Sequence, residues 1–231
     1  MSGIICDNEG KMMKINKDVL KSLNPCDNRY KHFLEHHGEF SGSLNDFLDL
    51  PNLEYVDKIW IARRVLTKNQ AVKWATLCAE SVVHIFEKEY PDNQSLSDCI
   101  SYLKTVKDFD NLTNDQASEI KRHEEASRAA CFVAAGGPYA VSLTAYCSRA
   151  PYAAGASNAA DAVGAAVRAA VREAAYATLA AYDIDVDVAD TECYAVQAAF
   201  YATTDASDSN KIAAQESQEA LNIKFLKQVI N

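Results

Sequence analysis

A chain of 231 residues is long enough to bury a substantial core in one large domain. Its formal charge of -9 and sequence pI near 5.0 leave no cationic excess for broad nucleic-acid or anionic-membrane binding, so those partners are excluded and a basic one is favoured. The seven cysteines are odd in number and never spaced C-x-x-C, and MSGIICDNEGKMMK holds no apolar run followed by a cleavage site; the expectation is a cytoplasmic protein with reduced thiols, most of them small core residues.

In chain order the predicted elements are helical almost throughout. Ile15, Val19, Leu20 and Leu23 form a short amphipathic turn, Tyr30, Phe33 and Leu34 a second, and Gly38 to Gly42 a break. Ser43 is placed as N-cap of LNDFLDL, and Pro51 opens a segment in which Val56, Ile59, Trp60, Arg63 and Val65 lead to Leu66. A helix from about Lys68 to Glu89 follows. Tyr90-Pro91-Asp92-Asn93 stops it, because a residue before proline is pushed out of the helical region. At about 100° per residue, Trp74, Leu77, Cys78, Ser81 and Ile85 form its expected core face. Ser95 is the expected cap of a helix whose Leu96, Cys99, Ile100 and Leu103 share a face. Thr113 caps a long helix to Ala135, which Gly136-Gly137-Pro138 breaks.

After residue 126 the composition changes. Of the 77 residues from Ala126 to Ala202, 28 are alanine, whereas the first 50 residues contain none. Alanine orders without losing side-chain entropy and lets helix axes approach to about 8 Å, so this half is predicted as close-packed helices. Tyr152, Tyr176, Tyr182, Tyr194 and Tyr201 supply the missing bulk. Ala129 to Ser148 is uncharged, but its apolarity is mostly alanine, and a buried helix pair is expected there in place of a membrane span. A last helix, about Ser207 to Ile230, presents Leu221, Phe225, Leu226 and Val229 as a docking stripe. The one alternating run, DIDVDV, has no pairing partner. The predicted class is therefore all-α: a compact bundle of roughly eight to ten helices in a single domain over 1–231, with 1–42 as a candidate N-terminal appendage.

Three constellations invite chemistry. Glu80, His84 and Glu87 fall at i, i+4 and i+7 of the long central helix; without an evident further ligand, Glu80 is read as a helical partner of His84. His32, Glu35 and His36 match H-x-x-E-H, the spacing at which two histidines one turn apart hold zinc and a glutamate handles water. Either set would serve a metal-dependent hydrolase. Asp183, Asp185 and Asp187 open like a calcium loop, but Val188 stands where the sharp-turn glycine belongs and Tyr194 where the bidentate glutamate belongs. From Asp183 to Asn210 there are seven acidic residues and no Lys or Arg, a one-sided field that steers a basic partner. Asp183, Asp185, Asp187, Asp190 and Glu192 are accordingly the expected partner-binding residues. No phosphate loop, G-x-S-x-G elbow or dinucleotide fingerprint is present, and no catalytic residue, metal or cofactor is assigned.

The stretch WATLCAESVVHIFEKEYPD resembles the central motif of a family of bacterial immunity proteins, the fifth-class immunity type and its relatives. The pattern W-A-x-x-C-A-E, then V, F-E and P-D, falls on Trp74, Ala75, Cys78, Ala79, Glu80, Val82, Phe86, Glu87, Pro91 and Asp92. Upstream, Leu20, Lys21, Leu23 and Cys26 are similar to its L-K-x-L-x-x-C opening, and DKIWIARRVL to its Trp-centred second segment. The family's late G-H-A-x-x-x-A-H stretch is missing here. The resemblance implies a small helical protein that protects its producer by binding a protein toxin, with Trp74 and Phe86 as core anchors and Cys78 as a small buried filler. The other reading, an alanine-rich helical scaffold for an unrelated partner, needs no toxin.

Overall fold

The computed structural model describes residues 14–134 and 208–231. The chain enters through strand β1 (Ile15–Asn16) and helix α1 (Lys17–Ser22), then passes through α2 (Asp27–His37), strand β2 (Ser41–Gly42) and α3 (Leu44–Leu48). Four longer helices follow: α4 (Tyr55–Val65), α5 (Lys68–Glu89), α6 (Ser95–Thr105) and α7 (Asn114–Ala134); the described part closes with α8 (Asp208–Ile230). The fold is all-α, with eight helices among the described residues. The alanine-rich, tyrosine-spaced segment and the uncharged stretch before it lie outside them, apart from the end of α7.

The two strands correct the expectation that Ile15 begins a helical turn. They form a short antiparallel ladder pairing Ile15 with Gly42 and Asn16 with Ser41. Asn16 is fully extended, at φ -148° and ψ 177°, and its Oδ1 accepts from the N–H groups of Asp18 and Val19, each at 3.0 Å. A side chain satisfying the first free amides holds its own backbone outside the helix, so α1 starts at Lys17.

The same device recurs at α3, α5 and α7, whereas α2 and α4 begin without a side-chain cap. Ser43 caps α3 as expected, in a reciprocal box with Asp46. Thr67 and Gln70 form such a box at the start of α5, and Thr113 and Gln116 another at α7. At α6 the cap is not Ser95: Asn93 Oδ1 accepts from the Ser95 amide at 3.2 Å and its hydroxyl at 2.7 Å, so Ser95 already lies inside the helix. The N-cap position is Gln94, and Asn93, two residues upstream of Ser95, holds the turn because an Asx side chain reaches two residues forward.

Two hydrophobic clusters meet on α5. One joins Val72, Ala75 and Ala79 to Leu96, Ile100 and Leu103 of α6, with Phe109 and Ile120 beyond them. The other joins Trp74, Cys78 and Val82 to Phe33, Phe47, Ile59 and, from α8, Leu226. These are adjoining stripes about 90° apart around α5, so the buried arc is wider than the predicted face and displaced from it. Leu77 and Ser81 are only half buried, while Val72, Ala75, Ala79 and Val82 are fully enclosed. The side chains of Ile85 and Phe86 lie outside the described residues. Trp74 and Cys78 occupy the core as expected, at 1% and 0% exposure.

Helix α8 packs along α5 with Leu226 buried, but the rest of its expected stripe is only half buried. Beside Leu226 it buries a polar residue just as deeply. Asn222 is fully buried; its carbonyl accepts from Trp74 Nε1 at 2.9 Å, its Nδ2 donates to the Tyr55 hydroxyl at 2.9 Å, and its Oδ1 accepts from Gln218 at 2.8 Å. Buried polar groups are tolerated when bonded in this way.

Candidate functional site

Helices α2 and α4, with Leu20 from α1 and Phe47 from α3, bound an open groove of about 280 Å³. Leu20, Phe33, Phe47 and Ile61 line it from the core. Val56, 55% exposed, and the exposed Cys26 also line it. Arg29 guards the polar edge: its Nη1 is 2.7 Å from a Glu54 carboxylate oxygen and 3.1 Å from one of Asp57. The hydrogen bond to Glu54 and the charge of Asp57 raise the Arg29 pKa and hold the guanidinium protonated. Burial raises the Asp57 carboxyl, with the opposing pull of Arg29 second. Two carboxylates against one guanidinium leave the edge net negative. Such a recess can take an apolar side chain or ring, with a cation beside it.

The groove was not legible in the sequence. Arg29 and Asp57 are 28 positions apart and belong to no motif.

His32, Glu35 and His36 stand together on α2, with one possible donor atom from each within 4.8 Å of the others. Among the described residues this is the one group of three or more with metal-ligand character. His32 Nε2 meets the Asn52 carbonyl at 2.8 Å, His36 Nδ1 the His32 carbonyl at 3.0 Å, and the neighbouring His37 Nε2 the Pro51 carbonyl at 2.7 Å. Asn52 adopts a left-handed φ of 58°, which asparagine tolerates better than most residues. The Pro51-Asn52 turn is thereby stapled to α2 by two histidines.

The second predicted set does not converge. Glu80 reaches Lys104 of α6 at 2.7 Å in place of His84, and Glu87 accepts from the Ser97 hydroxyl, also on α6. His84 is exposed. The two glutamates serve the α5–α6 contact, because residues i and i+7 sit on one edge and α6 runs beneath it. The expected partner-binding residues Asp183, Asp185, Asp187, Asp190 and Glu192 lie outside the described residues. No described helix is long and apolar enough to cross a membrane. No family model, curated protein or solved structure matches the chain.

Proposed function

We propose that the chain is an immunity protein that binds a bacterial protein toxin and neutralises it by covering its working surface, without catalysing a reaction. The α2–α4 groove is the observation that carries this reading: an apolar recess open to solvent, edged by more negative than positive charge. A recess of that kind takes a partner's apolar anchor, while surplus carboxylate attracts a basic surface. The formal charge of -9 acts in the same direction at longer range. The W-A-x-x-C-A-E resemblance supports the reading from the side of sequence, with Trp74 and Cys78 as fold determinants.

A stable barrier buries about 800 Å² on each partner, more than one groove supplies. The acidic residues Asp183, Asp185, Asp187, Asp190 and Glu192 are the second region proposed to meet the toxin. Capture of tagged chain from the native cytoplasm, with mass-spectrometric identification of what is retained, tests the proposal. The expected prey is a toxin whose activity falls in proportion to added chain. A non-toxic partner would favour the scaffold reading, and metal-dependent turnover by the isolated chain would favour the hydrolase.

A further inference from the structure

The histidine face of α2 carries a second capability, independent of the groove and of any toxin. Positions i, i+3 and i+4 lie one above another on a helix, and here they hold His32, Glu35 and His36, the two rings 4.4 Å apart between centroids. A carbonyl oxygen has no proton to offer, so the nitrogens facing Asn52 and His32 carbonyls must be the ones that carry hydrogen: Nε2 of His32 and Nδ1 of His36. In the neutral rings, lone pairs then remain on Nδ1 of His32 and Nε2 of His36. This is how a metal-ligating imidazole is normally supported, with its other N–H on a backbone carbonyl that selects the tautomer and sets the ring plane.

We propose that His32, Glu35 and His36 form a binding site for a divalent transition ion of the Zn²⁺ class, held by two neutral imidazoles and one carboxylate, with water completing its shell. Imidazole ligands favour such ions over Mg²⁺ or Ca²⁺, which take oxygen donors. Donors about 2.0–2.2 Å from a tetrahedral ion stand about 3.4 Å from one another. Starting from within 4.8 Å, the donors close by up to about 1.4 Å to reach that spacing, a movement open to side chains that are half buried at His32 and exposed at Glu35 and His36. The competing contact is weak: Lys31 Nζ lies 3.9 Å from the Glu35 carboxylate, with both side chains mostly in solvent.

Titration of the full chain with Co²⁺ under reducing conditions, followed by displacement with Zn²⁺, tests the site. The expected result is one equivalent bound, with visible bands of nitrogen and oxygen ligation and no response to Mg²⁺. His36→Ala lowers the affinity at least about tenfold, Glu35→Gln lowers it as well, and His84→Ala on α5 leaves it unchanged. All variants are compared at equal helical circular dichroism; Glu35→Gln keeps the side-chain shape should His36→Ala fold poorly. No saturable binding, an intense thiolate-to-cobalt charge-transfer band, or wild-type affinity in both ligand variants would overturn the assignment. Because the readout is metal alone, failure here leaves the toxin-binding proposal standing, and the reverse holds equally.

Discussion

Trp74 and His123 show how single side chains are tied to distant parts of the chain. The Trp74 indole is 1% exposed, and its N–H donates to the carbonyl of Asn222, 148 positions away. Trp74→Phe removes that donor, costs about 0.5–1.5 kcal/mol for the lost hydrogen bond, and leaves volume unfilled. We expect urea denaturation to show a lower midpoint with an unchanged slope. His123 is 4% exposed and stacks on Tyr102 with centroids 5.0 Å apart, its Nε2 3.3 Å from Arg122 Nη2. Burial, followed by the Arg122 charge, lowers its pKa below the ordinary 6.5, outweighing Glu119. The unfolded chain therefore takes up this proton first. Stability is full above the ordinary value and declines as pH falls through the lowered one. We expect a thermal midpoint that drops on acidification below about pH 6.5 and a flatter dependence in His123→Gln, measured by calorimetry. Burial of Trp74 was readable from its helical spacing; its Asn222 partner and the Tyr102 ring against His123 were not, because nothing local marks which carbonyl or ring a distant helix will present.

At the scale of elements, local chemistry carried most of the information. The range of α5 follows from Pro91 at one end and a Thr67–Gln70 box at the other, all within a few residues of the ends they set. Thr67→Ala removes the Oγ1 that accepts from the Gln70 amide at 3.2 Å, and should cost about 1 kcal/mol, read from the shift in urea midpoint. Strand β1 escaped the pattern because two residues carry no usable period, and their partners in β2 lie far along the chain, Ile15 pairing with Gly42 and Asn16 with Ser41. The α5 core face was misplaced for a related reason. Periodicity describes one stripe against solvent, whereas α5 meets α6 on one side and α8 on another.

For the molecule as a whole, charge is the property that reaches furthest. Within the proposed function, replacing Asp185, Asp187 and Asp190 by Lys changes the local charge by six units. The captured toxin is expected to bind at least tenfold more weakly to this variant, mostly through slower association at low salt. Surface titration would measure both rates, and equal affinity would move the contact to the groove alone. The helical content of the variant should match the parent.

The sequence by itself determined the all-α class, the limits of α5 and the caps of α3 and α7, because hydrogen-bonded turns and their terminators are settled by neighbours within about one turn. It also brought His32, Glu35 and His36 into one register, since i, i+3 and i+4 coincide on any helix. Only the tertiary structure decided that Glu80 and Glu87 face α6, that Asn222 sits at the centre of the α5–α8 contact, and that α2 and α4 leave a groove between them. Those outcomes depend on which helix faces cover one another, and chain closure over tens of residues leaves no periodic trace.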